Sequence, residues 1–160
     1  MKRRSKISHH PLLCWDIASQ AVYRRKHFYE ITEFEKAHKH FKWNFDLPSM
    51  KERDFESIVL TDVNELIIWT SPGFKSMTGY TRAFAIGRNP SFLQGKDTDK
   101  KAKQKIRSAI EQLEPIEGTL VNYRKDGTPY YCHLDILPLF SPAGELVNFI
   151  AFEQEVNTLT

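Results

Sequence analysis

The sequence predicts an α+β fold, a five-stranded antiparallel sheet with helices on one face, preceded by a long amphipathic N-terminal helix. Three observations predict it. Helical periodicity runs from Pro11 to Phe45 with no further breaker until Pro48, two short β-branched runs follow, and three longer strand-like runs close the chain after a single strong helical stretch.

From Pro11 to Phe45 the apolar residues Leu13, Ile17, Ala21, Phe28, Ile31, Phe34, Phe41 and Phe45 recur mostly at three- and four-residue steps. Pro11 suits a first helical turn and Pro48 ends the pattern. The stripe is aromatic rather than leucine-rich, so packing on a sheet or on a second copy is expected over a regular coiled coil. Next, "SIVLTDVNELIIWTS" reads as a hairpin turning at Asp62 to Glu65, and short helical pieces are expected between Pro72 and Ala85.

The stretch "DTDKKAKQKIRSAIEQLEP" puts Ala102, Ile106, Ala109, Ile110 and Leu113 on one helical face. Asp97, Thr98 or Asp99 would cap it and Pro115 would stop it. Three strands complete the pattern, Ile116 to Arg124, Pro129 to Phe140 and Leu146 to Val156, joined by turns at "KDGT" and "SPAGE". The expected organisation is a basic helical extension over residues 1–47, a linker over 48–55, one domain over 56–156 and a tail over 157–160.

At 160 residues with 41% hydrophobic content, the chain can bury one core. Residues 1–45 hold ten Lys/Arg against four Asp/Glu and the remainder thirteen against sixteen, so a +6 arm precedes a −3 domain. A solvated helix face accounts for such an arm better than nucleic-acid binding does, and no nucleic-acid partner is expected. Cys14 and Cys132 form no CxxC or zinc-type spacing, no membrane span is apparent, and a reduced, cytoplasmic setting is expected. His9, His10, His27, His38 and His40 lack the pairing that metal ligation on a helix needs, and no metal site is predicted. P-loop, GxSxG and HExxH signatures are absent, so no enzyme activity is expected.

"GRNPSFLQGKDTD", "KIRSAI", "NYRKDGTPYY" and "NFIAFEQEV", in this order and spacing, resemble a PAS domain of the LOV (light-oxygen-voltage) type, the flavin-binding blue-light sensors. The resemblance covers roughly Phe55 to Val156. It implies an FMN site in which Asn89, Gln94 and Asn122 supply amides to the polar edge of the ring or cap its side chain, amides offering both donors and acceptors. It also implies that Arg107 grips the phosphate, with Lys103 one turn earlier able to assist.

Four positions depart from the family pattern. Pro90 stands where the adduct-forming cysteine would be, so the lack of a thiol there precludes the usual cysteinyl-flavin bond. With Asn89 as its cap, Pro90 can still start a short helical turn. Ser91 replaces the first phosphate arginine, a loss of ~1.5–3 kcal/mol, or about ten- to a hundredfold in affinity. Cys132 replaces an asparagine on the next strand, and Glu153 replaces a glutamine on the last. An ionised Glu153 could only accept a hydrogen bond, whereas a buried one could stay protonated and donate. Gln154 is expected on the opposite sheet face.

Two functions remain open on these residues. One is a sensory, LOV-like domain that binds flavin and responds by electron transfer from Trp69, Tyr80, Tyr123, Tyr130 or Tyr131, or by redox state. The other is a PAS protein-interaction and dimerisation module that has lost flavin. In either case a homodimer through the N-terminal helix and the outer sheet face, and an unidentified downstream signalling partner, are expected.

Overall fold

The computed structural model describes residues 28–36, 38–39 and 53–157. The remainder of the predicted N-terminal helix, most of the 48–55 linker, Cys14, His9, His10, His27, His40 and the last three tail residues lie outside them.

Strands β1 (Ser57–Thr61) and β2 (Ile67–Thr70) form the predicted hairpin. Asp62 makes its turn, the carboxylate Oδ1 accepting from the backbone N–H of Asn64 and of Leu66, both at 2.9 Å. Short helices α1 (Pro72–Thr78) and α2 (Arg82–Ala85) follow, then a 3₁₀ turn at Pro90–Leu93 and helix α3 (Lys100–Glu111). Of the three cap candidates for α3, Asp99 is the one used: Oδ2 accepts from Ala102 N–H at 2.9 Å. Strands β3 (Ile116–Tyr123), β4 (Pro129–Phe140) and β5 (Leu146–Val156) finish the fold.

The five strands form one sheet in the order β2-β1-β5-β4-β3, with every pair antiparallel. The last strand thereby inserts between the first and the fourth, and Ser57 of β1 lies directly opposite Glu153 of β5.

The two sheet faces bury different partners. On one face Val59, Leu120, Leu134 and Cys132 meet α1, α2, the 3₁₀ turn and α3 through Phe74, Met77, Ala85, Leu93, Ala102 and Ile106. On the other, Ile58, Leu60, Leu139, Ile150 and Phe152 are covered by Ile31 and Phe34 from the helical residues 28–36. Within the described residues, Ile31 and Phe34 of the stripe thus pack on the sheet of their own chain, with the Phe34 and Trp69 rings edge to face at 6.2 Å. Burying a large apolar side chain contributes roughly 1.5–3 kcal/mol, so these contacts hold the segment in place.

Leu113 differs from its predicted place in the α3 stripe. The helix ends at Glu111, and Leu113 adopts a left-handed φ of 57° with its side chain 40% exposed. The turn toward Pro115 rotates it off the apolar face.

Candidate ligand-binding site

A cavity of about 120 Å³ lies between the sheet and the helices. Its apolar walls come from alternate residues of neighbouring strands, Leu120 of β3, Leu134 and Ile136 of β4 and Phe149 and Ala151 of β5, because side chains two apart share a face. Ile106 of α3 forms part of the opposite wall.

The polar groups stand along one side. Gln94 follows the 3₁₀ turn and forms an isolated antiparallel bridge with Asn122 of β3, which brings the two amides together. Gln94 Oε1, Asn122 Oδ1 and Glu153 Oε2 are all buried without a hydrogen-bond partner. Buried polar atoms are almost always paired, and three unpaired oxygens around one apolar cavity are the signature of a site shaped for a polar ligand edge.

Glu153 is 3% exposed. Burial pushes its carboxyl up to about 7, and the neighbouring Ser57 hydroxyl offsets part of that rise. Beside it, burial and then the Glu153 charge hold Tyr130 and the Cys132 thiol in their neutral forms, while the Asn122 amide acts the other way. Gln154 lies on the opposite face, paired across β4 with His133.

Asn89 also borders the cavity, with its amide already engaged. Its Oδ1 accepts from Ser91 N–H at 3.0 Å and caps the turn that Pro90 begins, while its Nδ2 donates to Glu65 Oε2 at 3.3 Å. Proline fits there because the first residue of a helical turn needs no N–H partner. Pro90 and Ser91 both border the cavity.

Arg107 sits apart, on the exposed side of α3, in an outer groove that it shares with Ser91, Gln94 and Lys103. Its Nε lies 3.3 Å from Glu111 Oε1 and its side chain is 79% exposed. Cys132 is fully buried behind the cavity rather than among its lining residues. Lys103 reaches both cavity and groove.

Of the aromatic residues singled out as electron donors, Tyr130 alone lies on the cavity face next to the polar cluster. Trp69 packs on Phe34 across the sheet, Tyr80 stacks on Phe84 at 4.8 Å, and the Tyr123 hydroxyl donates to Asp97 Oδ2 at 2.6 Å. Tyr131 alternates to the outer face with His133, whose ring nitrogen Nδ1 contacts Thr119 Oγ1 at 3.2 Å, away from the cavity.

Sequence reasoning missed Glu65 and Ser57. Glu65 has φ 61° and its role depends on the turn that presents it, and Ser57 meets Glu153 only through the β1–β5 pairing. Neither contact has a local sequence signal.

The PAS domain family model matches residues 56–157. Phototropin-2 of Oryza sativa subsp. japonica is 43% identical over 94 residues, 59% of this chain and 10% of that protein. A blue-light photoreceptor of Listeria innocua serovar 6a is 40% identical over 104 residues, 63% of this chain and 41% of that one. The chain thus spans less than two thirds of either curated relative. The light-state structure of the blue-light photoreceptor Aureochrome1 LOV superposes with a TM-score of 0.62 at 35% identity, covering 64% of this chain and 83% of that one. Together with the sheet order and the cavity, these matches establish that the chain belongs to the PAS domain family, with a domain of the LOV type.

Proposed function

We propose that the chain is a sensory domain that binds a flavin, FMN by resemblance, in the cavity and signals without a cysteinyl adduct. The observation that carries this reading is the set of three unpaired oxygens, on Gln94, Asn122 and Glu153, around one apolar cavity. Those residues would hold the polar edge of the ring, Leu120, Leu134, Ile136 and Phe149 would contact its faces, and Lys103 and Arg107 would meet a phosphate in the outer groove. When bound, the flavin supplies light absorption and electron acceptance. Pro90 offers no nucleophile, so the response is by redox state or by electron transfer, for which Tyr130 is the proposed donor.

The output is transmitted through changed contacts. Ile31 and Phe34 are already used within the chain, while Phe28 is 71% and Tyr29 54% exposed on the same helical segment. These exposed rings and the surrounding outer face are the proposed surface for homodimerisation or for a signalling partner. No catalytic activity is proposed for this domain.

A second reading, an interaction module without flavin, is favoured by two details. Asn89 is committed to Ser91 and Glu65, and Arg107 is paired with Glu111. An absorption spectrum of the purified chain, taken after incubation with excess FMN and desalting, distinguishes the two. A flavin band that survives desalting, and that blue light does not convert to a thiol adduct, is the expected result. No retained flavin would leave the interaction module as the function.

A further inference from the structure

The three unpaired atoms facing the cavity are all oxygens, and they differ in what they can become. Gln94 and Asn122 can each turn an amide over and present N–H₂ instead. A carboxyl group donates only while it holds its proton, and otherwise only accepts. Glu153 is therefore the member of the set whose protonation decides which ligand edge fits.

The groups around Glu153 leave that decision to it. Ser57 faces it from β1 and carries no charge. On β4, Tyr130 and Cys132 are held neutral by burial. Glu155, two residues along β5, is paired with Arg124 at 2.6 Å. From α3, beside the apolar Ile106 and Ile110, Lys103 is the charged residue that borders the cavity. Glu65 lies at the β1–β2 turn, where Asn89 donates to it. Arg107 is outside, paired with Glu111.

Resting on the flavin reading above, we propose that Glu153 makes this cavity select the reduced over the oxidised ring at neutral and higher pH. Nitrogens of the oxidised ring present lone pairs. Two-electron reduction converts them to N–H donors: a dihydronicotinamide in solution delivers two electrons and one proton as hydride and is itself oxidised, and solvent supplies the second proton. An ionised Glu153 on β5 accepts from the new N–H. Facing the oxidised ring, the same carboxylate meets a lone pair and must first take up a proton. The cavity is then a redox-selective site, with Glu153 as its specificity-determining residue and light absorption incidental to it.

The test uses the full chain loaded with FMN under anaerobic conditions, its midpoint potential measured against reference dyes at pH 6 and pH 8 for wild type and for Glu153→Gln. At pH 8 the wild type is expected to hold reduced FMN at least tenfold more tightly than oxidised FMN, a rise of ~30 mV over free FMN for a two-electron couple. Glu153→Gln, able to donate and accept at any pH, is expected to lose most of that preference and its dependence on pH. Equal potentials for wild type and variant at both pH values, or a wild-type potential below that of free FMN at pH 8, would overturn the proposal while leaving flavin binding intact. If wild type and variant retain neither oxidised nor reduced FMN, the flavin reading itself falls, and this proposal with it.

Discussion

Glu30 Oε1 accepts the backbone N–H of Gly73 at 2.8 Å, across 43 residues, and joins the N-terminal helical segment to the first turn of α1. Glu30 is 2% exposed, so the bond is made out of water. It places a carboxylate at the start of a helix, where free N–H groups converge. The approach is close enough that a Cβ on residue 73 would lie 1.8 Å from Glu56 O and 3.3 Å from Glu30 Cδ.

Gly73→Ala is therefore expected to shift α1 away from both the segment and β1, at a cost of ~3 kcal/mol or more. Glu30→Ala should lose ~1.5–3 kcal/mol, the range for a hydrogen bond to a charged group. Urea unfolding of both variants measures these losses. A Glu30→Ala protein as stable as wild type would show that residues 28–36 do not dock against α1 in solution, and a tolerated Gly73→Ala would contradict the close approach to Glu56.

Phe34 tests the same docking from the apolar side. It is fully buried and packs with Ile58, Leu60, Ile150 and Phe152 of the outer sheet face. Phe34→Ala should cost ~3–5 kcal/mol, and hydrogen exchange should show faster opening of residues 28–36 than of β5. Unchanged exchange in that segment would argue against the packing described.

The loop after the 3₁₀ turn is held to β3 by a stack of contacts that converge on Gly95. Thr98 Oγ1 donates to Val121 O at 2.6 Å and accepts from Gly95 N–H at 2.9 Å, while the Tyr123 ring lies where a Gly95 side chain would be, with Cε2 2.4 Å from the position of its Cβ. Gly95→Ala should displace the ring and its bond to Asp97, costing ~1–3 kcal/mol. In a Tyr123→Ala background the same substitution should cost much less, because the obstacle is gone. A double-mutant cycle reads this directly, and additive losses would contradict it.

Much of this architecture was legible before the structure, for reasons that are local. Asp62 makes a turn with its own neighbours, Asp99 caps the helix that starts beside it, and the alternation in β3, β4 and β5 marks their ends. Pro90 after Asn89 reads as a capped turn and is one. The site was partly legible: Asn89, Gln94, Asn122 and Glu153 all border one cavity, while the Asn89 amide donates to Glu65 and Arg107 pairs with Glu111 in the outer groove. Those two outcomes depend on which side chain competes for each group, and the competitors, Glu65 and Glu111, carry no signal of their own. The Ser57–Glu153 pairing depends on the sheet order, which sets residues 96 positions apart side by side.

That pairing leads to a prediction about stability and pH. The Glu153 carboxyl is raised to about 7 from an ordinary value of 4.5, chiefly by burial. The folded state therefore holds a proton that the unfolded chain has released, and stability falls as pH rises between these values and then levels off. A displacement of this size corresponds to about 3 kcal/mol. Below pH ~4.5 the group is protonated in both states and contributes no difference. Glu153→Gln keeps the shape without the titration, so ligand-free variant and wild type should be similarly stable at pH 4.5, with the variant ahead by up to ~3 kcal/mol at pH 8. Urea midpoints at the two pH values measure the gap. A gap of the same size at both would mean that Glu153 titrates alike in the folded and unfolded chain, and a wild type that gains on the variant as pH rises would mean that the cavity holds its charge rather than its proton.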